Sequence, residues 1–534
     1  MTEGEAKNDI PEVEAPEVEK GFLAELKKKI YDSPQTKSVE QILENTQEME
    51  SPKEPVGGTC IFRLPRELSN KFDNKYKVPQ IVSIGPYHNN TNDHELKVMD
   101  DRKLLYVRSF LKNNMSKTLR QAMEKASYIP WSIRIYHYSL FHINHNASGA
   151  AAEGKSSELD VYINDIRAIE GEAKKCYSKE VESIGTDEFV GMMIRDGFFI
   201  LELFLRFNSW RPFESDDPIR RKLRVSSALY NDLLLLENQI PFFVLFKLFK
   251  ASLRENLRKD SEEILINLAL RFFNKVMRRP KEEWYPYENY GKKLPLHLLD
   301  LIRSSFTTPL QKLPRENIPC FLRLLCAGNG RVNPDNRCTS TIPCFSKLFR
   351  AGIEVKPCNA ESFLAVKFKS GVIHMPNITI DDFMSSFLVN CVAFEQSHPN
   401  ISKYFMRYTA FLDFLSNTKE DVDLLYERKV IEHSFETDEK LATYINALGK
   451  DLLFGFDNVY LPQEDDFDNL SKMFNEVDAY YRSGIRWKWA DFKLEYCHKP
   501  WLLISAFVAL VYLLLTFAQT FISGYAYVHP NGKQ

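Results

Sequence analysis

In the stretch Trp501–Ile522, WLLISAFVALVYLLLTFAQTFI, 22 successive residues include no Asp, Glu, Lys, Arg or His. As a helix it would run about 33 Å, enough to cross a hydrocarbon layer of about 30 Å. The span is expected to be lined by Trp501, Leu502, Leu503, Ile504, Phe507, Leu510, Leu513, Leu514, Leu515, Phe517, Phe521 and Ile522. Ser505, Thr516, Gln519 and Thr520 do not veto insertion, because their side chains can bond helix carbonyls or face a partner helix. Tyr525 and Tyr527 stand where interfacial aromatics are expected. The competing reading, a buried core helix, fits poorly with a charge-free run of this length.

Arg482, Arg486, Lys488, Lys493 and Lys499 precede the run, and only Lys533 follows it, which places the body on the cytosolic side. With about a dozen residues after the run, the expected topology is single-pass and tail-anchored, in the plasma membrane or an endomembrane. The lipid bilayer is thus the first expected partner. No apolar N-terminal stretch resembles a signal peptide, and Thr2 and the closing NGKQ signal neither myristoylation nor prenylation.

The rest of the 534 residues can build a sizeable core, since 44% of the chain is hydrophobic and 27% charged. A net charge of -2 gives no general electrostatic reason to bind nucleic acid, and none is expected as a partner. Nine cysteines spread thinly over the chain argue against a disulfide scaffold and fit a reducing compartment.

Four regions follow. Residues 1–57 read as an acidic disordered arm: up to Cys60 there are 14 acidic and 7 basic residues, and PEVE occurs twice. Within it GFLAELKKKI places Phe22, Leu23, Leu26 and Ile30 near one helical face, read as a transient solvated helix, with membrane-surface or partner docking as the alternatives. Residues 58–497 read as a helical domain, 498–524 as the transmembrane helix with its flanks, and 525–534 as a short tail.

The fold class expected is mainly α: a large helical body with a small β-hairpin, plus one C-terminal transmembrane helix. GTDEFVGMMIRDGFFILELFLRF reads as a central helix with Thr186 as N-cap. Its Glu188, Arg195, Asp196, Glu202 and Arg206 exclude a lipid span and imply buried pairing. NDLLLLENQIPFFVLFKLFKASL reads as a second core helix interrupted near Pro241. LPLHLLDLIRSSF and DDFMSSFLVNCVAFEQ extend the theme. SFLAVKFKSGVIHMPNITI alternates Leu364, Val366 and Phe368 against Lys367 and Lys369, then turns at Ser370–Gly371, the pattern of a hairpin. SIRIYHYSLFHI, from Ser132, is a candidate strand.

Catalytic signals are sparse. GAAAEGKS, Gly149–Ser156, satisfies the phosphate-loop pattern, with Lys155 for the phosphates and Ser156 for magnesium. The polar HINHNAS before it, the alanine run and Glu153 fit a surface loop better. Cys320, Cys326, Cys338 and Cys344 lack the short spacing that lets paired thiolates reach one zinc. His137, His142 and His145 lack a HExxH glutamate, GxSxG is absent, and GNGRVN at Gly328 lacks a third glycine. Asp196, Glu202, Glu237 and Glu395 could serve as general acids, but with Asn238, Gln239 and Gln396 they read better as pairing and capping groups. Asn238 and Gln239 precede Pro241, where freed backbone groups need side-chain partners. No catalytic, cofactor or metal residues are assigned, and no enzyme is expected.

The blocks CIFRLPRELSNKFDNKYKVPQIVSIGPYHNN, ELKVMDDRKLLYVRSFL, KKCYS, DEFVGMMIRDGFFILELF, DLLLLENQIPFFVLFKLF, LHLLDLIR, AGIEVK, VAFEQ and WKWADFKLEYCHKPWLLISAFVALVYLLLTFAQT follow one another in that order. Together they resemble the plant family called domain of unknown function 247, over about Cys60 to Gln519. The resemblance implies a plant-specific, mainly helical membrane protein with no established enzymatic activity. In grasses a subset of the family is associated with pollen-side recognition in self-incompatibility. The functional expectation is a membrane-anchored, non-enzymatic recognition or signalling protein with a protein or peptide partner. The alternative is a membrane-tethered nucleotide hydrolase using GAAAEGKS.

Overall fold

The computed structural model describes residues 58–89, 93–113, 158–277, 294–311, 344–450 and 500–528, less Asp216, Lys222, Arg254 and Asn400. It also describes Leu23, Leu26, Lys27, Leu452, Val477, Tyr480 and Tyr481. In chain order its first helices are α1 (Arg66–Lys71), α2 (His94–Lys112), α3 (Glu158–Arg167), α4 (Glu170–Lys175), α5 (Thr186–Phe207), α6 (Pro218–Arg221), α7 (Leu223–Asp232) and α8 (Phe242–Ala251). They are followed by α9 (Ser261–Met277), α10 (Leu298–Gln311), α11 (Phe345–Arg350), α12 (Asp382–Ser397), α13 (Tyr404–Leu415), α14 (Lys419–Glu427), α15 (Asp438–Gly449) and α16 (Pro500–Val528). The strands are β1 (Glu354–Pro357), β2 (Lys367–Lys369), β3 (Val372–Met375), β4 (Ile378–Ile380) and β5 (Ile431–His433). The fold is mainly α, as expected.

Two compact units divide the chain: one holds the residues up to Lys312 together with Asp381–Met406, the other Leu313–Ile380 and the residues from Arg407. In the first, α5 is the central element, with α2, α3, α8 and α9 packed around it. An apolar surface on every side is what a helix surrounded by others requires. Phe198 meets Phe110 at 4.7 Å and Tyr162 edge-on at 4.9 Å, while Phe204 packs on Phe272 at 5.1 Å. The helix begins at Thr186, but its N-cap is Gly185, and the Thr186 hydroxyl donates to Glu170 Oε1 at 3.3 Å. The capping role expected of Thr186 is therefore corrected: a tertiary carboxylate takes its hydroxyl.

Charges on α5 are neutralised inside the core. Asp196 Oδ1 receives Lys103 Nζ at 2.9 Å and Arg195 Nε at 3.2 Å, and its Oδ2 receives the Gly85 N–H at 2.9 Å. Burial would raise the Asp196 pKa, but the Lys103 and Arg195 charges outweigh it and hold the carboxyl below its usual range. One turn and a half further along, Glu202 binds Arg206 Nε at 2.9 Å, the Ser109 hydroxyl at 2.8 Å and Arg211. Arg206 continues to Asp217 at 3.3 Å, which also accepts the Tyr106 hydroxyl at 2.7 Å. Breaking any buried link would strand its partner's charge.

The second unit contains the hairpin. β2 and β3 are antiparallel in the register Phe368↔Ile373, joined by Ser370 (φ 52°) and Gly371 (φ 85°). Positive φ at both turn positions matches the strand twist. The strand begins at Lys367, later than the alternation from Leu364 suggested, because Leu364 and Val366 are buried in a turn before it. β1 adds a third strand, parallel to β3 with Val355↔Ile373, and β4 and β5 form a separate parallel pair. A capping box starts α14, with Thr418 and Asp421 exchanging bonds, and Asp421 Oδ1 also accepts the Ser346 N–H at the start of α11 at 2.7 Å.

Of the first 57 residues only Leu23, Leu26 and Lys27 are described. All three are helical, both leucines are buried, and Lys27 pairs with Asp160 of α3. These residues dock on their own chain rather than standing in solvent. The candidate strand from Ser132 lies outside the described residues.

Candidate functional site

Two features stand out: the C-terminal helix, and a buried polar hub in the first unit. Helix α16 is 29 residues long, about 44 Å, and contains all of Trp501–Ile522. Its segment Phe507–Tyr525, 19 residues, is long and apolar enough to cross a membrane, and none of it is buried within the protein. Exposure reaches 74% at Tyr512 and 71% at Phe517. That is the reverse of a core helix, whose apolar side chains are covered by neighbours. Thr516 Oγ1 donates to Tyr512 O and Thr520 Oγ1 to Thr516 O, each at 2.8 Å, so both hydroxyls are satisfied without water.

The hub is built on LLLLENQIP, Leu233–Pro241. Its expected helical form is corrected by the structure: α7 ends at Asp232, and Leu233–Pro241 is a buried, irregular turn before α8. The carbonyls that a helix would bond internally are taken by amides. Gln239 Nε2 donates to Leu233 O at 2.8 Å and Leu235 O at 2.9 Å, and Asn238 Nδ2 donates to Asp232 O at 2.8 Å. The Leu236 N–H donates to Asn390 Oδ1 of α12 at 2.7 Å. Asn238 and Gln239 thus do the capping expected of them before Pro241.

The same residues hold neighbouring chain. Asp232 accepts three successive N–H groups, from Gln80, Ile81 and Val82, at 2.9, 2.7 and 2.9 Å. Burial pushes this carboxyl up to about 7, against the pull of those three donors. Asn238 Oδ1 accepts the Ile84 N–H at 2.6 Å, and Glu237 Oε1 the Leu64 N–H at 2.8 Å. Gly85 closes the run with φ 72° and ψ -171°, a conformation essentially confined to glycine. A Cβ there would lie 2.4 Å from the Gln239 carbonyl oxygen. Gly85→Ala is expected to cost about 3 kcal/mol, measured by denaturant unfolding in detergent. A loss below about 1 kcal/mol would show that the turn relaxes freely.

At the edge of the hub, Arg63 reaches Glu180 at 2.9 Å and Glu237 at 3.4 Å, and its guanidinium lies 4.6 Å over the Tyr87 ring. The Tyr87 hydroxyl donates to Ile61 O at 3.1 Å, meets Ser178 Oγ at 3.0 Å and accepts the Ser178 N–H at 3.0 Å. His88 Nε2 lies 3.6 Å from Glu237 Oε2. Burial, then the Arg63 charge, pushes His88 down to about 4, so it stays neutral at pH 7. Burial raises the Glu237 pKa, opposed by Leu64 N–H and Arg63. Chemically this is a lock: Ser178 is occupied by Tyr87, and Glu237 by a backbone amide and a guanidinium.

His297, fully buried beside the hub, accepts the Asp300 N–H on Nδ1 at 3.2 Å, which assigns the proton to Nε2, 3.2 Å from Cys60 O. Burial lowers its pKa to about 4, against about 6.5 when unfolded. Its contribution to stability is therefore full above about pH 6.5 and is lost as pH falls toward 4, where only the unfolded chain takes up the proton. The stability advantage of wild type over His297→Gln should shrink by about 3 kcal/mol between pH 7 and pH 4 in urea titrations. A pH-independent difference would refute the buried neutral imidazole.

Among the described residues no group of three or more His, Cys, Asp or Glu is arranged to hold a metal. GAAAEGKS with Lys155 and Ser156, the histidines 137, 142 and 145, the cysteines 320, 326 and 338, and GNGRVN lie outside the described residues. Glu202 and Glu395 are bound by arginines, and Glu395 also accepts the Phe405 and Met406 N–H groups. The sequence reading missed Asp232, Arg63, His88 and His297, whose roles arise only from tertiary contacts; the one local signal was their position within the family blocks.

A model of the family described as plant protein of unknown function, domain of unknown function 247, matches residues 61–146 and 137–515. The chain belongs to that family. UPF0481 protein At3g47200 of Arabidopsis thaliana is 29% identical over 477 residues, covering 88% of this chain and 87% of its own length. A second UPF0481 protein of Arabidopsis thaliana, At3g02645, is 24% identical over 537 residues, covering 86% and 89%. No solved structure matches the chain. In this family member, the blocks CIFRLP, SIGPYH, KKCYS and LLLLENQIP meet around the hub.

Proposed function

We propose that this protein is a single-pass membrane protein whose helical body acts without catalysis, as a recognition or signalling module facing the cytosol. The observation that carries this is α16, a long helix whose apolar segment Phe507–Tyr525 is not covered by the described residues. Exposing so much contiguous apolar surface to water is unfavourable by about 25 cal/mol per Å², and a hydrocarbon layer removes that cost. Basic residues at 482, 486, 488, 493 and 499 support the cytosolic body. The occupied polar groups of the hub support a scaffold rather than an active site. A protein or peptide is the expected partner of the body.

Protease added to sealed microsomes tests the orientation. The body should be digested without detergent, leaving a protected fragment containing α16. Protection of the whole body would place it on the other side and end the cytosolic reading. A role as a pollen-side self-incompatibility determinant is the narrower form of this proposal, supported by the family resemblance. It requires that replacing this chain's allele changes which pollen is rejected.

A further inference from the structure

We propose that Cys60 and Cys176 are a redox modification site, closing to a reversible disulfide when a peroxide oxidises Cys176. They are 116 positions apart in sequence and both are free thiols. The backbone brings them together: the Cys60 and Ile61 N–H groups both donate to the Cys176 carbonyl, at 2.9 and 2.8 Å. A direct bond between the two residues keeps their Cα atoms no more than about 7 Å apart, within the outer limit for a disulfide.

The two thiols are unequal in a way that assigns their roles. Cys60 is buried, and its carbonyl side is closed by His297. Cys176 is half-buried at the end of α4, with its sulfur 3.6 Å from Glu172 O. Interaction with the neighbouring Cys60 thiol lowers the Cys176 pKa, whereas interaction with Cys176 and then burial raise that of Cys60, making Cys176 the better thiolate. Cys176 thiolate attacks one oxygen of hydrogen peroxide: an S–O bond forms, the O–O bond breaks, and hydroxide leaves and takes up a proton to become water. The product is a sulfenic acid. Cys60 sulfur then attacks that sulfur: the S–S bond forms, the S–O bond breaks, and the departing hydroxide takes the Cys60 proton as a second water. Two thiols are oxidised and one peroxide is reduced. A cellular dithiol reverses the step by thiol–disulfide exchange.

The bridge would staple the entry segment of the first unit to the KKCYS turn, beside the Arg63–Glu180 pair. The test uses the full-length protein in detergent, treated with graded hydrogen peroxide, alkylated and digested under non-reducing conditions. A linked Cys60–Cys176 peptide, lost on adding dithiothreitol, is expected. Both residues should lose alkylation at least about tenfold faster than Cys358, whose thiol is held above its ordinary pKa by burial, with the Lys367 charge only partly opposing it. In Cys60→Ser, Cys176 should be trapped by dimedone as the sulfenic acid, and in Cys176→Ser, Cys60 should remain a free thiol. If wild type gives no linked peptide, or if Cys176 is oxidised no faster than Cys358, the proposal is wrong. Because wild type alone decides this, misfolding of a variant cannot rescue it.

Discussion

Replacing Leu510 and Leu514 together with arginine is expected to move the protein from the membrane fraction to the soluble or aggregated fraction. Both residues lie in the Phe507–Tyr525 segment of α16 and are more than half exposed, at 55% and 58%. They are four residues apart and therefore on one face. Each arginine near a helix centre costs about 2.5–3.5 kcal/mol of insertion, so the pair removes about 6 kcal/mol, some ten-thousandfold in partitioning. Leu510→Ala with Leu514→Ala, which keeps the segment uncharged, should remain membrane-bound. Flotation of expressed protein on a density gradient separates the cases, and an arginine pair that floats like wild type would contradict the assignment of α16 as a span.

The second large effect is expected at Glu395. This fully buried carboxylate on α12 receives Arg303 Nη1 of α10 at 3.0 Å and the N–H groups of Phe405 and Met406 at 3.2 and 2.9 Å. Burial raises its pKa, with the Arg303 charge the first of the opposing influences. Among the described residues, Glu395→Ala leaves the buried Arg303 guanidinium with Asp300, at 3.3 Å, as its one carboxylate partner beside the Ser402 carbonyl at 3.2 Å, together with two unpaired amides. Removing one partner of a buried pair costs about 3–5 kcal/mol, and about 4 kcal/mol is expected here by denaturant unfolding in detergent. Glu395→Gln keeps one acceptor oxygen for those amides and should lose less. Equal, small losses for both would show that this pair does not hold α10 to α12.

Much of this architecture was legible because it is local. The charge-free run of α16, the all-round apolar α5 and the Ser370–Gly371 turn each reflect a rule that acts within a few residues. What escaped depends on distant partners. LLLLENQIP reads as helix because four leucines favour it, yet Gln239, Asn238 and Asn390 supply tertiary bonds that hold an irregular turn. β1 escaped because a parallel pairing with β3 leaves no turn signal between the strands. Thr186 looked like a cap, but Glu170 claimed its hydroxyl. The buried pairing of α5 charges was foreseeable from the cost of an isolated charge; which partners answered, Lys103 and Arg211 among them, was not. At the hub the residue types were visible, but their convergence was not, since Leu64, Ile84 and Glu237 meet only in three dimensions.

The anchoring role of α16 is tested most directly by alkaline carbonate extraction of membranes carrying the full-length chain. The protein should stay in the pellet, while a chain truncated after Tyr496 is released. Recovery of the full-length chain in the supernatant would contradict the anchor and, with it, the proposed place of the body at a membrane.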